Sequence, residues 1–516
     1  MNSPLQHESL LEKVGLIALA LFFSACTLLI VLRAPYQAGG DLFFHTWFTQ
    51  QIIDSGQIPQ SAPTYAAATH YSLAPLFHFI IASIQSVVHI PLTTLLPLLN
   101  IGAAALWISL LFLVIKQSTR RVDAALFGAL LSIFFTEDSS FFYLLPRTVS
   151  MCVVLAAMYV LNSTLTRFPR LIMLSLFSLS ILLLHLPSAP FWLSILATLS
   201  IVRAWRDYRK ILHDIFAFGL GAALFIILLL PEILKNGIPI NPSDSSFQSQ
   251  SDAPLAIAQL LHVVQNPFVA ISIILGLAGL LTYTYRSKNK TSLWMLWAFL
   301  IASTLVAMQE FGQYAFLPER AISYLFIPFS LLAGYAYLAI NSIIPNSYRV
   351  IIFTLLLLTI IPLGALQLLN SNEAPLKDAV SHDELQGLND LREALPEGAF
   401  ASDPLTMVKI ASITNLQPAI SFEATNLRAA SVRNWPIVIG LFGPEENLIP
   451  YLTQNNIKYI ILSTDTYQRF LHLDERFASQ AVFENIFTSK QTITLEGFSD
   501  PIPYYAVYRY LGANEE

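Results

Sequence analysis

Long apolar runs, broken at short intervals by polar or basic residues, dominate the chain up to residue 369 and then stop. Runs of about the length that crosses a bilayer, or slightly shorter, occur at 14–32, 91–115, 122–135, 148–165, 171–186, 191–202, 211–230, 267–285, 292–308, 321–343 and 350–369, which predicts about eleven transmembrane helices. After 369 the pattern changes to helix-like pieces at 383–395 and 444–455 alternating with strand-like ones. The clearest strands are IKYIILS (457–463) and YYAVYRY (504–510), both rich in β-branched and aromatic residues. The predicted fold class is an α-helical polytopic membrane protein with a C-terminal α/β or α+β soluble domain. Its domains are a transmembrane part, 1–369, whose first loop is 34–90, and a soluble part, 370–516.

One apolar stretch, 72–89, carries His78, Ser83, Gln85 and His89, and the distribution of charge decides how it is read. If it spanned, Lys116, Arg120 and Arg121 would fall on the same side as the first loop, whose stretch 38–65 has no lysine or arginine. If it lies in the membrane interface, the clusters at Lys13, Lys116–Arg121, Arg167–Arg170, Arg203–Lys210, Arg286–Lys290 and Arg349 share one side. The opposite short loops then keep only Arg33, Arg147, Lys235 and Arg320. The positive-inside rule therefore predicts an interfacial segment, a cytoplasmic N-terminus and an external C-terminal domain.

Composition agrees with a membrane protein: of 516 residues, 55% are hydrophobic and 12% charged, and the mean hydropathy is +0.60. A net charge of -5 with no basic patch argues against nucleic acid as a partner. Cys26 and Cys152 both lie in apolar spans, so they imply neither a disulfide framework nor a metal site. The segment 370–516 contains no glycine-rich phosphate loop, zinc spacing or triad motif.

Candidate chemistry begins in AGGDLFFHTWFTQQIIDSGQIPQSAPTY (38–65), directly after the first span. Gly39 and Gly40 allow a sharp reversal, and Asp41 opens a segment in which Phe44, Trp47, Phe48 and Ile52 recur at helical spacing. Asp41, His45 and Thr49 form a row one turn apart beside that stripe. This predicts an interfacial helix with Asp41 facing water, where its carboxylate either caps the helix or takes part in chemistry.

The pattern GGDxxFHxxxxxxIxxxGxxP, from Gly39 through Asp41, His45 and Gly56 to Pro59, resembles the first external loop of the GT-C superfamily. These are multi-pass glycosyltransferases that use polyprenyl-phosphate sugar donors, and the resemblance implies that Asp41 sits at a catalytic centre. It also implies that TEDSSFFYLLPR (136–147) is the loop supplying a second acidic residue, Glu137 or Asp138. Carboxylates from two loops, Asp41 with Glu137 and Asp138, can hold a divalent cation such as Mg or Mn, since hard cations favour oxygen ligands. A solvated helix end accounts for the same acidic pair.

Arg147 and Arg320 are among the few cations expected on the external side, and a lipid-phosphate donor needs positive charge near its phosphate. Snorkelling to headgroups is the simpler reading of each. The run LPERAISYLFIPFSLLAG resembles the late GT-C region where a basic residue meets the donor, which favours Arg320. Glu310, flanked by Gln309 and Gln313, is a candidate partner for sugar hydroxyls, and His45 a candidate substrate contact because it shares the Asp41 row. The expected partners are a polyprenyl-phosphate-linked sugar, a glycan, lipid or protein acceptor, and the membrane. The competing classes are a transporter or assembly factor for lipid-linked saccharides and a non-catalytic membrane protein whose soluble domain binds a partner. The nearly charge-free spans disfavour a transporter.

Overall fold

The fold comes from a computed structural model, which describes residues 4–33, 40–57, 75–134, 144–163, 165–185, 188–189, 191–193, 195–196, 208–236, 267–287, 318–371, 380–395, 400–414, 416–420, 435–469, 477, 480–494 and 500–512. Its helices run α1 (Pro4–Arg33), α2 (Gly40–Ser55), α3 (Leu76–Val88), α4 (Leu92–Thr119), α5 (Val122–Leu131), α6 (Pro146–Leu161), α7 (Arg167–Leu184), α8 (Tyr208–Asn236), α9 (Pro267–Ser287), α10 (Pro318–Ile343) and α11 (Asn346–Ser371). Then follow α12 (His382–Ala394), β1 (Phe400–Ala401), α13 (Pro404–Thr414), α14 (Trp435–Phe442), α15 (Glu445–Gln454), β2 (Tyr459–Ser463) and α16 (Thr464–Arg469). The chain closes with β3 (Phe483–Thr488), β4 (Thr492–Ile493), β5 (Ile502–Pro503) and β6 (Tyr505–Tyr510). The described chain divides into two compact units, Met1–Leu32 with Leu98–Ala374, and Arg33–Pro97 with Pro375–Glu516.

The first unit is a bundle of apolar helices. Among the described residues, Glu12–Leu32, Leu92–Thr119, Arg167–Leu184 and Ser347–Leu366 are long and apolar enough to cross a membrane. Shorter apolar helices accompany them, including Val122–Phe134, Pro146–Leu161, Leu212–Leu228 and Ile327–Ile343. The expected span 292–308 lies outside the described residues, as does the end of 191–202, although Phe191 and Trp192 are helical and fully buried. Leu212, Ile215, Phe216 and Ile227 on α8 are exposed, as side chains facing lipid would be. This is the architecture of a multi-pass membrane protein.

Helix α10 is central to the bundle because it packs along both α9 and α5. A side chain at Gly279 would collide with the Tyr335 carbonyl and one at Gly128 with the Ser330 carbonyl, so bare backbone at these positions permits the close approach. The contacts of Gly128 with Ser330 and of Gly334 with Ala124 show that α5 and α10 run antiparallel.

Polar contacts identify one end of this bundle. Lys116 pairs with Glu12 at 2.5 Å, Gln117 donates to the Tyr159 carbonyl at 3.2 Å, and the Ser118 and Tyr335 hydroxyls are bonded at 2.9 Å. The start of α1, the ends of α4 and α6, and the later half of α10 therefore meet there, with Lys116, Arg120 and Arg121 among them. Arg170 grips Asp214 with both nitrogens of its fork, at 2.7 and 3.1 Å, tying the start of α7 to the start of α8.

The second unit is a four-stranded mixed sheet of order β1-β2-β6-β3 covered by helices, together with the short pair β4 and β5. The two strands expected at 457–463 and 504–510 form as β2 and β6 and lie side by side, antiparallel, from Tyr459 opposite Arg509 to Ser463 opposite Tyr505. The expected helices at 383–395 and 444–455 form as α12 and α15. Ser381 caps α12 by accepting the Glu384 amide at 3.0 Å, and Asp403 caps α13 by accepting the Thr406 amide at 3.2 Å, with Pro404 at the first helical position.

Helices α2 and α3 of the first loop belong to this second unit. Phe43, Trp47, Phe48, Ile52 and Ala82 share one apolar core with Val408, Ile410 and Leu441, and α2 packs against α13. Helix α3 has 13 residues, about 20 Å of length, well short of the roughly 30 Å hydrocarbon core of a bilayer. It buries Phe77, His78, Ile81 and Ala82 and exposes Phe79, Ile80, Val87 and Val88, an outer face suited to a membrane interface.

Candidate active site

Asp41 is the second residue of α2, in the helix's first turn, where four backbone N–H groups lack intrahelical partners and negative charge is favoured. Four residues on, His45 is 4% exposed, and Thr49, a further turn along, is 1% exposed. Asp41 alone was expected to face water, and the two residues that continue its row are buried. His78 on α3 meets His45, and the His45 ring and the Thr49 hydroxyl each have a partner that makes burial tolerable. The Thr49 hydroxyl donates to the His45 carbonyl at 2.8 Å, and His45 Nδ1 is hydrogen-bonded to His78 Nε2 at 3.0 Å. Phe43 joins Trp47, Phe48 and Ile52 on the buried side, which leaves α2 enclosed around much of its circumference.

The histidine pair lies in an aromatic surround. The His78 ring is 4.6 Å from Phe48 and 5.3 Å from Phe77, and the His45 ring is 5.6 Å from Phe77. Burial, and then the neighbouring His45 imidazole, hold His78 well below the usual histidine range, so it is neutral at physiological pH. One N–H serves the bond between the rings, which can hold with both rings neutral or with one charged.

The other candidates belong to the first unit. Arg147, partly buried, stands in the first turn of α6, and Arg320 in the first turn of α10. Since α10 reaches the Lys116 end of the bundle with its later half, its start lies at the opposite end. The start of α6 also lies there, because its Tyr159 end meets Gln117. Arg147 and Arg320 thus share one end of the bundle, away from the cluster at Lys116, Arg120 and Arg121. Glu137, Asp138 and Glu310 lie outside the described residues. Among the described residues no group of three His, Cys, Asp or Glu is arranged to hold a metal ion.

A buried polar cluster in the second unit escaped the sequence reading. Lys409 on α13 donates to Glu384 Oε1 at 2.9 Å and to Asp465 Oδ2 at 2.8 Å, and the Tyr505 hydroxyl donates to the same Glu384 oxygen at 2.8 Å. Burial alone would lower the Lys409 ammonium, but the two carboxylates outweigh it and hold its pKa above the usual lysine value. Beside it, Asp403 accepts from Thr466 at 2.6 Å, and Thr406 and Ser463 are bonded at 2.6 Å. The only hint in the sequence is a lysine inside the apolar run TMVKIASI.

No protein-family model and no curated protein matches the chain in sequence. Solved structures match it in fold. The arabinofuranosyltransferase AftD from Mycobacteria aligns with 100% of this chain at a TM-score of 0.63 and 14% identity, and the chain spans 40% of AftD. ArnT from Cupriavidus metallidurans, solved with bound undecaprenyl phosphate, aligns over 98% of both chains with a TM-score of 0.58 and 12% identity. The chain has the fold of the GT-C glycosyltransferases. The Archaeoglobus fulgidus oligosaccharyltransferase in its apo form extends the likeness, with a TM-score of 0.59 and 12% identity over 88% of this chain and 69% of its own. The same archaeal enzyme has been solved in complex with zinc and sulfate. The expectation drawn from Gly39–Pro59 thus holds for the GT-C fold over essentially the whole length of the chain.

Proposed function

We propose that the chain is an integral membrane glycosyltransferase that moves a sugar from a polyprenyl-phosphate donor to an acceptor on the external face of the membrane. The observation that carries this reading is the near-complete mutual coverage with ArnT, whose structure holds undecaprenyl phosphate, combined with a carboxylate, Asp41, at the start of the helix that follows the first span. The gathering of Lys116, Arg120 and Arg121 at one end of the bundle supports a cytoplasmic assignment for that end. The ends carrying Arg147 and Arg320 would then be external.

The reaction is a displacement at the anomeric carbon. An acceptor hydroxyl attacks that carbon, its proton passes to the Asp41 carboxylate, and the bond between sugar and phosphate breaks to release polyprenyl phosphate. Arg320, with Arg147, would neutralise charge on the departing phosphate. Glu310 would bond sugar hydroxyls. Glu137 and Asp138, with Asp41, would be the oxygen ligands of a divalent cation such as Mg or Mn, and such an ion would supply positive charge for the same phosphate.

The test is transfer by the purified protein in bilayers, supplied with a panel of labelled polyprenyl-phosphate sugars and membrane-derived acceptors. Turnover of at least one donor is expected. A folded protein that consumes none of them contradicts the reading.

A further inference from the structure

We propose that His78 is a positioning residue for Asp41, acting through His45; this rests on the reading of Asp41 as the group that takes the acceptor's proton. Asp41 follows two glycines, so neither of the two residues before it supplies a side chain to anchor the start of α2. The start of α2 is then held by residues that follow, of which Phe43 and His45 are buried. Packing of Phe43, Trp47, Phe48 and Ile52 holds α2 against the core, and a directional bond adds a fixed point close to the start of the helix. The bond from His45 Nδ1 to His78 Nε2, at 3.0 Å, is directional and joins α2 to α3. Since His45 lies four residues after Asp41, on the same face of the helix, locking His45 also fixes the angle at which that face presents residue 41.

The choice of residue at position 78 supports this role. The His78 side chain is fully buried among Phe48, Phe77 and the His45 ring. A phenylalanine would fill that surround without the desolvation penalty of an imidazole, so packing alone does not account for histidine. What the imidazole adds is a polar atom at the Nε2 position, pointed at His45. A misplacement of about 1 Å at a reacting group costs on the order of 100-fold in rate, which sets the scale at which such a lock matters.

The experiment compares His78→Phe, which keeps the ring and loses the bond, with His78→Gln, whose amide stands where Nε2 stood. Both are made in the full-length protein in bilayers and assayed with the polyprenyl-phosphate sugar that supports wild-type turnover. For His78→Phe we expect kcat to fall roughly 10- to 100-fold with the KM for donor within about threefold of wild type. His78→Gln should retain kcat within about threefold. Wild-type turnover by His78→Phe, or equal losses in both variants, overturns the proposal. If His78→Phe does not fold, His78→Gln decides: retained turnover supports the lock, and lost turnover in folded protein refutes it. Asp41→Asn in the same series separates the two levels. Loss there with wild-type turnover in His78→Phe removes only the role of His78, whereas normal turnover in Asp41→Asn removes the premise.

Discussion

Replacing Lys409 with methionine tests how the second unit is held together. The substitution keeps an unbranched apolar stem of similar length and deletes two charge-assisted bonds, at 2.9 Å to Glu384 and 2.8 Å to Asp465. The side chains of Lys409 and Glu384 are 4% and 7% exposed, so Glu384 is left as a buried charge with the Tyr505 hydroxyl still donating to it. Asp465, at 23%, can recover water. Breaking a buried pair costs about 3–5 kcal/mol. The retained Tyr505 bond and the rehydration of Asp465 put this case near the lower figure, about 3 kcal/mol, or about two orders of magnitude in the equilibrium between closed and open states. Hydrogen exchange of the full-length protein should therefore show amide protection in β2 and β6 falling about 100-fold in Lys409→Met. Adding Glu384→Gln should restore much of it, because an amide accepts the Tyr505 bond without an orphaned charge. Protection within about 0.5 kcal/mol of wild type, a surface-like effect, would refute the assignment of this cluster as a support of the fold. The sign of the pH dependence follows from the raised lysine pKa. The contribution of Lys409 is complete below the unfolded value of 10.5 and is lost only as pH rises through the higher folded value, so no loss from this residue is expected between pH 6 and 9.

Gly279→Val should separate α9 from α10, because its side chain would meet the Tyr335 carbonyl; thermal unfolding in detergent should show a loss of about 1–3 kcal/mol, and an unchanged midpoint would contradict the close crossing. Arg320→Ala should weaken donor use, with Arg320→Lys recovering part of it as a point charge without the bidentate fork, whereas normal donor dependence in Arg320→Ala removes the phosphate role. Cysteines at Gly56 and Lys288 should react with impermeant reagents from opposite faces of the membrane, and same-sided labelling would overturn the proposed orientation.

Much of the bundle is legible in the sequence because lipid demands a long apolar run and nothing subtler, and the strands at 457–463 and 504–510 are legible because both are buried pairs of one sheet. The environment of α2 is not. Its apolar residues at the expected spacing suggest a one-sided helix, yet α13, far along the chain at Pro404–Thr414, packs against it and α3 covers His45. A helix enclosed on several sides has no face that periodicity can identify as solvent. His78 likewise carries no local signal, since its partner lies 33 residues away. Lys409 is the reverse case. A lysine in an apolar helix marks itself as buried, but its carboxylate partners are contributed by α12 and α16, which only the folded sheet brings beside it.

In the proposed polyprenyl-phosphate-dependent transfer, Asp41 takes the acceptor's proton. Asparagine matches aspartate in size and can still bond the free N–H groups of a helix's first turn, but it cannot accept that proton. In bilayers, with the donor that supports wild-type turnover, Asp41→Asn should leave membrane insertion and the amide protection of β2 and β6 unchanged while lowering the transfer rate by roughly 100-fold or more. A folded Asp41→Asn protein that transfers sugar at a near-normal rate would contradict this role and leave Asp41 as a negative charge in the first turn of α2.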